Sequence, residues 1–217
     1  MRIRNIPLVG KLYLRLLKKR VLEVRARKVE WALQQVVVEE NSTLLAIGCG
    51  DGTAVEIMNS LVQRGETYAV DVSEAQLFRT RERNGAAIEE GKVRLYKSGG
   101  AHLPFDDQRF SLVAAFSCYV EWRHPERNLR EVYRVLKNGG FALVTAEIQE
   151  DEKRFRAPGL LSLLFGRGST ANLRILEGRE HMKTPAAELK RLMEEIGFEN
   201  VTIETKDNWQ CVIGGKV

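Results

Sequence analysis

The residues whose types and spacing can do chemistry are Ile47-Gly48-Cys49-Gly50-Asp51-Gly52 and, further on, Asp71. A glycine cluster lets the backbone approach a ligand with no Cβ in the way, and it permits positive φ. The helix predicted to follow, Thr53–Leu61, offers unpaired backbone N–H groups at its start. Asp71 closes the next predicted strand. In a doubly wound sheet, neighbouring strand ends meet at one edge, where ligands bind. A carboxylate there can accept both hydroxyls of a ribose, a charge-assisted contact worth about 1.5–3 kcal/mol. Taken singly, the glycines fit a tight turn and Asp71 a helix cap. However, Ser73-Glu74-Ala75-Gln76 has the form of a capping box, which assigns the cap to Ser73 and leaves Asp71 to a ligand. Together the loop and the acid favour nucleoside binding. Thr53 stands where a dinucleotide fingerprint needs its third glycine, and no Gly-Lys-Ser/Thr of a Walker loop is present.

The surrounding elements follow from periodicity and turn chemistry. Residues 8–38 read as one helix or two, and 43–47 as a buried strand. Residues 67–70, 93–96, 110–116 and 141–146 read as further strands. The helices between them are expected at 53–61, from Ser73 to about Ile88, and at 125–136, with Pro125 at a first helical position and Asn138-Gly139-Gly140 as the stop. A last helix runs from Thr184-Pro185 to Gly197, a natural left-handed cap. Residues 201–204 and 210–213 flank Asp207-Asn208 and predict a terminal hairpin. The expected fold is therefore α/β: a Rossmann-like sheet, mostly parallel, with an antiparallel C-terminal hairpin and helices on both faces. Residues 1–40 form a basic arm and 41–217 the main domain, with a lid-like insertion at about 150–181.

In this order the motifs resemble those of class I S-adenosylmethionine-dependent methyltransferases. Leu45 to Gly52 is similar to their first motif, and Tyr68-Ala69-Val70-Asp71-Val72-Ser73 to their second. Leu103-Pro104-Phe105-Asp106-Asp107 and Phe110-Ser111-Leu112-Val113 match the stretch that passes the adenine and enters the fourth strand. Leu129 to Gly140 matches the helix and double glycine before the fifth, and Leu189 to Phe198 the last helix. The resemblance covers about residues 41 to 217 and is closest to the subgroup that methylates small molecules, quinone-type ones included. It implies a seven-stranded sheet, S-adenosyl-L-methionine as cofactor and S-adenosyl-L-homocysteine as product. It also implies a cofactor site made by Ile47, Gly48, Cys49, Gly50, Asp51, Gly52, Asp71, Val72, Gly100, Ala101, His102, Phe116 and Ser117.

The pattern is broken at three places. The family usually carries an acid where Ala46 stands, an Asp within the stretch Ser98-Gly99-Gly100-Ala101-His102, and another at Ser111. One reading keeps cofactor binding, with backbone and apolar contacts to the adenine and Asp71 on the ribose. The other is a site that has lost affinity or serves another ligand. The surviving glycines and Asp71 favour the first.

Catalytic candidates lie after the fourth and fifth strands. Glu121 or His102 is the expected general base, and Tyr119, Trp122 and Glu147 are candidate acceptor contacts. Packing would explain Tyr119 and Trp122 equally, and His124 reads as a helix cap before Pro125. The acceptor is expected to be small and hydrophobic. The alternatives are an RNA methyltransferase and a ligand-binding module without turnover. Phe116-Ser117-Cys118-Tyr119 has no proline where base-amine methyltransferases carry a Pro-Pro pair, so nucleic acid is disfavoured.

The bulk numbers fit this reading. In 217 residues, 44% are hydrophobic, enough for a sizeable core. Three dispersed cysteines and three scattered histidines give neither a disulfide scaffold nor metal-ligand spacing, so no metal is expected and a reducing cytoplasm is. The residues after Met1 lack the unbroken apolar run of a signal peptide. The net charge of +5 is concentrated early: eight basic residues against Glu23 lie between Lys11 and Lys28. They form a solvated helix face or a peripheral membrane contact. A monomer or a homodimer is expected.

Overall fold

The computed structural model describes residues 8–147 and 185–217. The insertion at about 150–181, with its apolar stretch 160–165 and His181, lies outside them, as do residues 1–7. Among the described residues the elements run α1 (Leu8–Leu33), β1 (Thr43–Ile47), α2 (Thr53–Leu61), β2 (Glu66–Asp71), α3 (Glu74–Arg83), α4 (Gly85–Glu89) and β3 (Val93–Lys97). There follow β4 (Phe110–Phe116), a 3₁₀ turn (Tyr119–Glu121), α5 (Pro125–Val135), β5 (Leu136–Glu147), α6 (Pro185–Ile196), β6 (Glu199–Lys206) and β7 (Trp209–Gly215).

The seven strands form one sheet in the order β3-β2-β1-β4-β5-β7-β6. The first five are mutually parallel, and β7 inserts antiparallel between β5 and β6. The mixed sheet and terminal hairpin are as the periodicity implies. β1 is apolar from Leu44 to Ile47 because both its faces are covered. Leu44 and Ala46 enter one cluster with Val29 and Ala32 of α1 and Val55 and Met58 of α2. Leu45 and Ile47 point the other way, to Leu129 and Val132 of α5 and Leu189 and Met193 of α6. Alternation along one strand thus sorts the helices into two layers.

Local chemistry moves some boundaries. The helix expected from Ser73 to Ile88 breaks at Asn84, whose side chain donates to Thr80 O at 2.9 Å and ends α3. α5 stops at Val135, and β5 starts at once at Leu136, five residues before the expected strand, running through Gly139-Gly140. There Gly139 N–H donates to Lys216 O at 2.6 Å and Lys216 N–H to Gly140 O at 3.0 Å, so the double glycine is strand rather than stop. Ser73 precedes α3 but makes no side-chain cap bond, and neither does His124 before α5. Trp31 of α1 packs against Trp209 of β7, ring centroids 6.2 Å apart, which ties the basic arm to the far half of the sheet.

Candidate functional site

The strand order reverses direction between β1 and β4, so the crevice beyond their carboxyl ends is where such a sheet takes a ligand. Residues 48–52 occupy that point. Gly48 N–H and Cys49 N–H both donate to Val70 O, at 2.9 and 3.2 Å, binding the loop to the end of β2. Gly48 has φ +72°, and a Cβ on it would lie 2.9 Å from Cys118 Cβ. Gly52 has φ +83°, and its Cβ would meet Thr80 Cα at 2.9 Å. At both positions conformation and close approach exclude any side chain.

Asp71 Oδ2 accepts the Gly50 N–H at 3.1 Å and Oδ1 accepts the Ser73 N–H at 2.9 Å. This corrects the expectation that Ser73 caps the helix and spares Asp71: the carboxylate holds both the loop and the start of α3. Asp71 Oδ2 also accepts from the Cys49 thiol at 3.9 Å. With about two acceptor positions on each carboxylate oxygen, one on Oδ1 remains for a ribose hydroxyl. Beside it Val72 is 69% exposed, an apolar surface at the edge of the crevice. A Cβ on Gly99 would lie 3.3 Å from Val72 Cγ1, and one on Gly100 3.2 Å from Ile47 Cγ2. The absence of an acid at Gly99 thus accompanies close packing of this turn on β1 and β2. Ala101 follows, and His102 N–H closes the turn on Gly99 O at 3.2 Å, leaving its imidazole exposed.

The three substituted acid positions do not surround one pocket. Ala46 is buried and registers with Ala69 and Ala114 on either side, inside the layer covered by α1 and α2. An unpaired carboxylate there would be costly. Ser111 is the second residue of β4, five residues before Phe116, hence about 16 Å from the ligand edge at the rise of a strand. Only Gly99 faces the crevice.

The sequence reading missed the brace behind the loop. Thr80 Oγ1 donates to Gly50 O at 3.2 Å, Arg83 Nε to Asp51 O at 3.0 Å and Asn84 Nδ2 to Gly52 O at 3.2 Å. Three consecutive carbonyls are fixed by one face of α3 and its cap. The i, i+3, i+4 spacing of these polar residues was the available signal. Asp51 faces the other way: its Oδ1 accepts Thr53 N–H at 3.1 Å, and Oδ2 takes Arg25 of α1 at 3.4 Å. Burial resists ionisation of Asp51, but the Thr53 bond and the Arg25 and Arg83 charges outweigh it and hold its pKa below the ordinary value.

Phe116, the last residue of β4, is half-buried, and Ser117 beyond it is exposed with φ +56°, uncommon for a residue with a Cβ. Its N–H donates to Thr145 Oγ1 at 2.9 Å, and its Oγ accepts from Lys28 Nζ of α1 at 3.0 Å. Cys118 Sγ donates to Ile47 O at 3.3 Å, and burial, then the charges of Glu121 and Asp71, push its pKa up to about 12. Its thiol is therefore protonated and inert as a nucleophile at neutral pH. Glu121 is exposed on the 3₁₀ turn, close enough to act electrostatically on Cys118. Tyr119 and Trp122 are buried, 4% and 8% exposed, their rings edge to face at 5.6 Å within the core. Glu147 ends β5, and its side chain lies outside the described residues.

Comparison with known proteins bears on this geometry. Residues 45–144 match the family described as a methyltransferase domain. The chain is 30% identical over 176 residues to a demethylmenaquinone methyltransferase of Protochlamydia amoebophila, covering 75% of this chain and 71% of that protein. It is 25% identical over 121 residues to the uncharacterized methyltransferase YdaC of Bacillus subtilis, covering 56% of this chain and 65% of that one. The match therefore spans just under two thirds of the length of the latter protein. In fold, the chain is similar to phosphoethanolamine N-methyltransferase 2 of Haemonchus contortus, solved in complex with S-adenosyl-L-methionine. The TM-score is 0.68 at 14% identity, over 88% of this chain and 52% of that one.

Proposed function

The chain belongs to the class I S-adenosylmethionine-dependent methyltransferases, and we propose that it transfers the sulfonium methyl to a small hydrophobic acceptor. The observation that carries the cofactor half of this reading is Asp71. It is fixed by Gly50, Cys49 and Ser73 at the end of β2, with acceptor capacity left on Oδ1, beside a loop whose Gly48 and Gly52 admit no side chain. When bound, S-adenosylmethionine supplies an electrophilic methyl on a positively charged sulfur. Asp71 would hold the ribose, Val72 and the turn at Gly99, Gly100 and Ala101 would flank the adenine, and the loop from Ile47 to Gly52 would hold the remainder. The chain's contribution to rate is then chiefly positioning, which can supply about 7–11 kcal/mol of the barrier.

Glu121 and His102 are exposed titratable groups in the segments that follow β4 and β3, and we assign one of them as the base for an acceptor that carries a proton. The acceptor's hydrophobic character is supported by the name of the Protochlamydia relative and by the apolar stretch 160–165. Peripheral attachment to an anionic membrane through α1 belongs to the same proposal, supported by exposed Lys19, Arg20 and Arg27. No helix among the described residues is long and apolar enough to cross a membrane. The three cysteines, none in a disulfide, suit a reducing cytoplasm.

Isothermal titration with S-adenosylhomocysteine tests the cofactor half, and labelled methyl transfer to a panel of quinone-type acceptors in detergent tests the other. Absence of heat at millimolar nucleoside would overturn the first. Transfer to RNA in place of the panel would overturn the second.

A further inference from the structure

The parallel strands begin at one edge of the domain and end at the other, and the two edges differ in charge. At the amino edge cations are matched by acids: Arg64 pairs with Glu40, Lys92 with Glu90 and Arg134 with Asp107. Glu39 and Glu89 are exposed there as well. At the carboxyl edge, where the crevice opens, Arg123 and Arg127 are exposed between the end of β4 and the first turn of α5. Neither has an ion-pair partner among the described residues. Of the acids near them, Glu126 is taken by Arg130 and Glu121 lies on the 3₁₀ turn.

The helix α1 adds to the same edge. Arg25 meets Asp51 beyond β1 and Lys28 meets Ser117 beyond β4, so α1 passes the carboxyl edge at these residues. Val29, Ala32 and Leu33 then run down against α2 in one buried cluster. Because α1 is continuous from Leu8, residues 8–24 project past the edge by about 25 Å at the rise of an α-helix. Leu16, Arg20, Val24 and Arg27 fall within an arc of about 80° on this helix. Leu16 and Val24 are 55% and 51% exposed, and both arginines are exposed without an ion-pair partner among the described residues. Aliphatic side chains interleaved with cations suit a lipid headgroup boundary, which takes the apolar groups and attracts the charges. A nucleic acid would meet the cations, but Leu16 and Val24 offer no ring for a base to stack on.

We propose that the carboxyl edge docks on an anionic bilayer through two contacts, the projecting half of α1 and the pair Arg123 and Arg127, so that the crevice mouth opens onto the lipid. This rests on the attachment and acceptor readings above and adds to them a face and an orientation. The acidic amino edge is turned away from the surface, which aligns the domain before contact. A hydrophobic acceptor then reaches the crevice without crossing water.

Vesicle co-sedimentation of the full chain tests this, with phosphatidylcholine alone and with phosphatidylcholine and phosphatidylglycerol at three to one. The wild type should bind the anionic vesicles and release them as salt is raised. Replacing Arg123→Gln and Arg127→Gln together should weaken that binding by about 10- to 30-fold, as expected of two cations near an anionic surface. The same variant should bind S-adenosylhomocysteine like wild type in calorimetry without lipid, which also shows that it is folded. Arg64→Gln with Lys92→Gln at the amino edge removes equal charge and should leave vesicle binding unchanged. Equal losses in the two double variants would reduce the effect to net charge and overturn the proposal. Vesicle binding that is lost in Lys19→Gln with Arg20→Gln but kept in the Arg123 and Arg127 variant would leave attachment through α1 and overturn the docking face. A wild type indifferent to anionic lipid would overturn both. Tighter binding to a mixed-sequence RNA than to the vesicles, lost in the Arg123 and Arg127 variant, would replace the bilayer as occupant.

Discussion

Asp71 and Gly50, twenty-one residues apart in sequence, are joined by a 3.1 Å hydrogen bond from the Gly50 N–H to Oδ2. The acid proposed to hold a ribose also sets the shape of the loop over which that ribose would lie. Binding and loop geometry are therefore coupled through one carboxylate.

Asp71→Asn keeps the size of the side chain but removes the charge. S-adenosylhomocysteine affinity should fall by about 1.5–3 kcal/mol, or ten- to a hundredfold. Calorimetry reads this directly, and unchanged affinity would remove Asp71 from the ribose.

Gly48→Ala places a methyl 2.9 Å from Cys118 Cβ at φ +72°. The strained backbone and the overlap should together cost about 2–4 kcal/mol in urea unfolding. In a Cys118→Gly background the overlap disappears and only the backbone cost remains. Equal costs in both backgrounds would show that Cys118 is not the obstacle.

Thr80→Val removes the hydroxyl that donates to Gly50 O and leaves that carbonyl short of a partner. A loss of about 1–3 kcal/mol of stability is expected. Weaker nucleoside binding should accompany it, because the loop loses one of its three supports. Stability loss with intact binding would mean that Arg83 and Asn84 suffice.

The thiols should respond to alkaline pH. Burial raises Cys49, Cys118 and Cys211 from 9.0 to about 12. The folded state then holds these protons where the unfolded chain has released them, so stability should be full below about pH 9 and fall toward pH 12. Cys211→Ala should flatten that fall in urea titrations at pH 8 and pH 10.5. At pH 8 the native thiols should resist a disulfide reagent that labels them in guanidinium. Prompt labelling of the native protein would contradict their protonated, enclosed state.

Much of this molecule was legible in the sequence because the information is local. A strand buried on both faces reads as Thr43–Ile47, a two-residue turn as Asp207-Asn208, and a ligand loop as three glycines between strand and helix. Period, turn chemistry and the freedom of glycine act over a few residues, so a single chain displays them. What only tertiary structure decided are contacts between distant segments. Thr80, Arg83 and Asn84 brace carbonyls about thirty residues away, and Lys28 meets Ser117 across 89. Ser111 and Ala46, adjacent to the motifs in sequence, turned out to be remote from the crevice or sealed beneath it. A strand's two ends and two faces have opposite fates, and only the packing of helices on the sheet assigns them. The loop was written in its glycines, whereas the Lys28–Ser117 bond was fixed by where α1 came to rest.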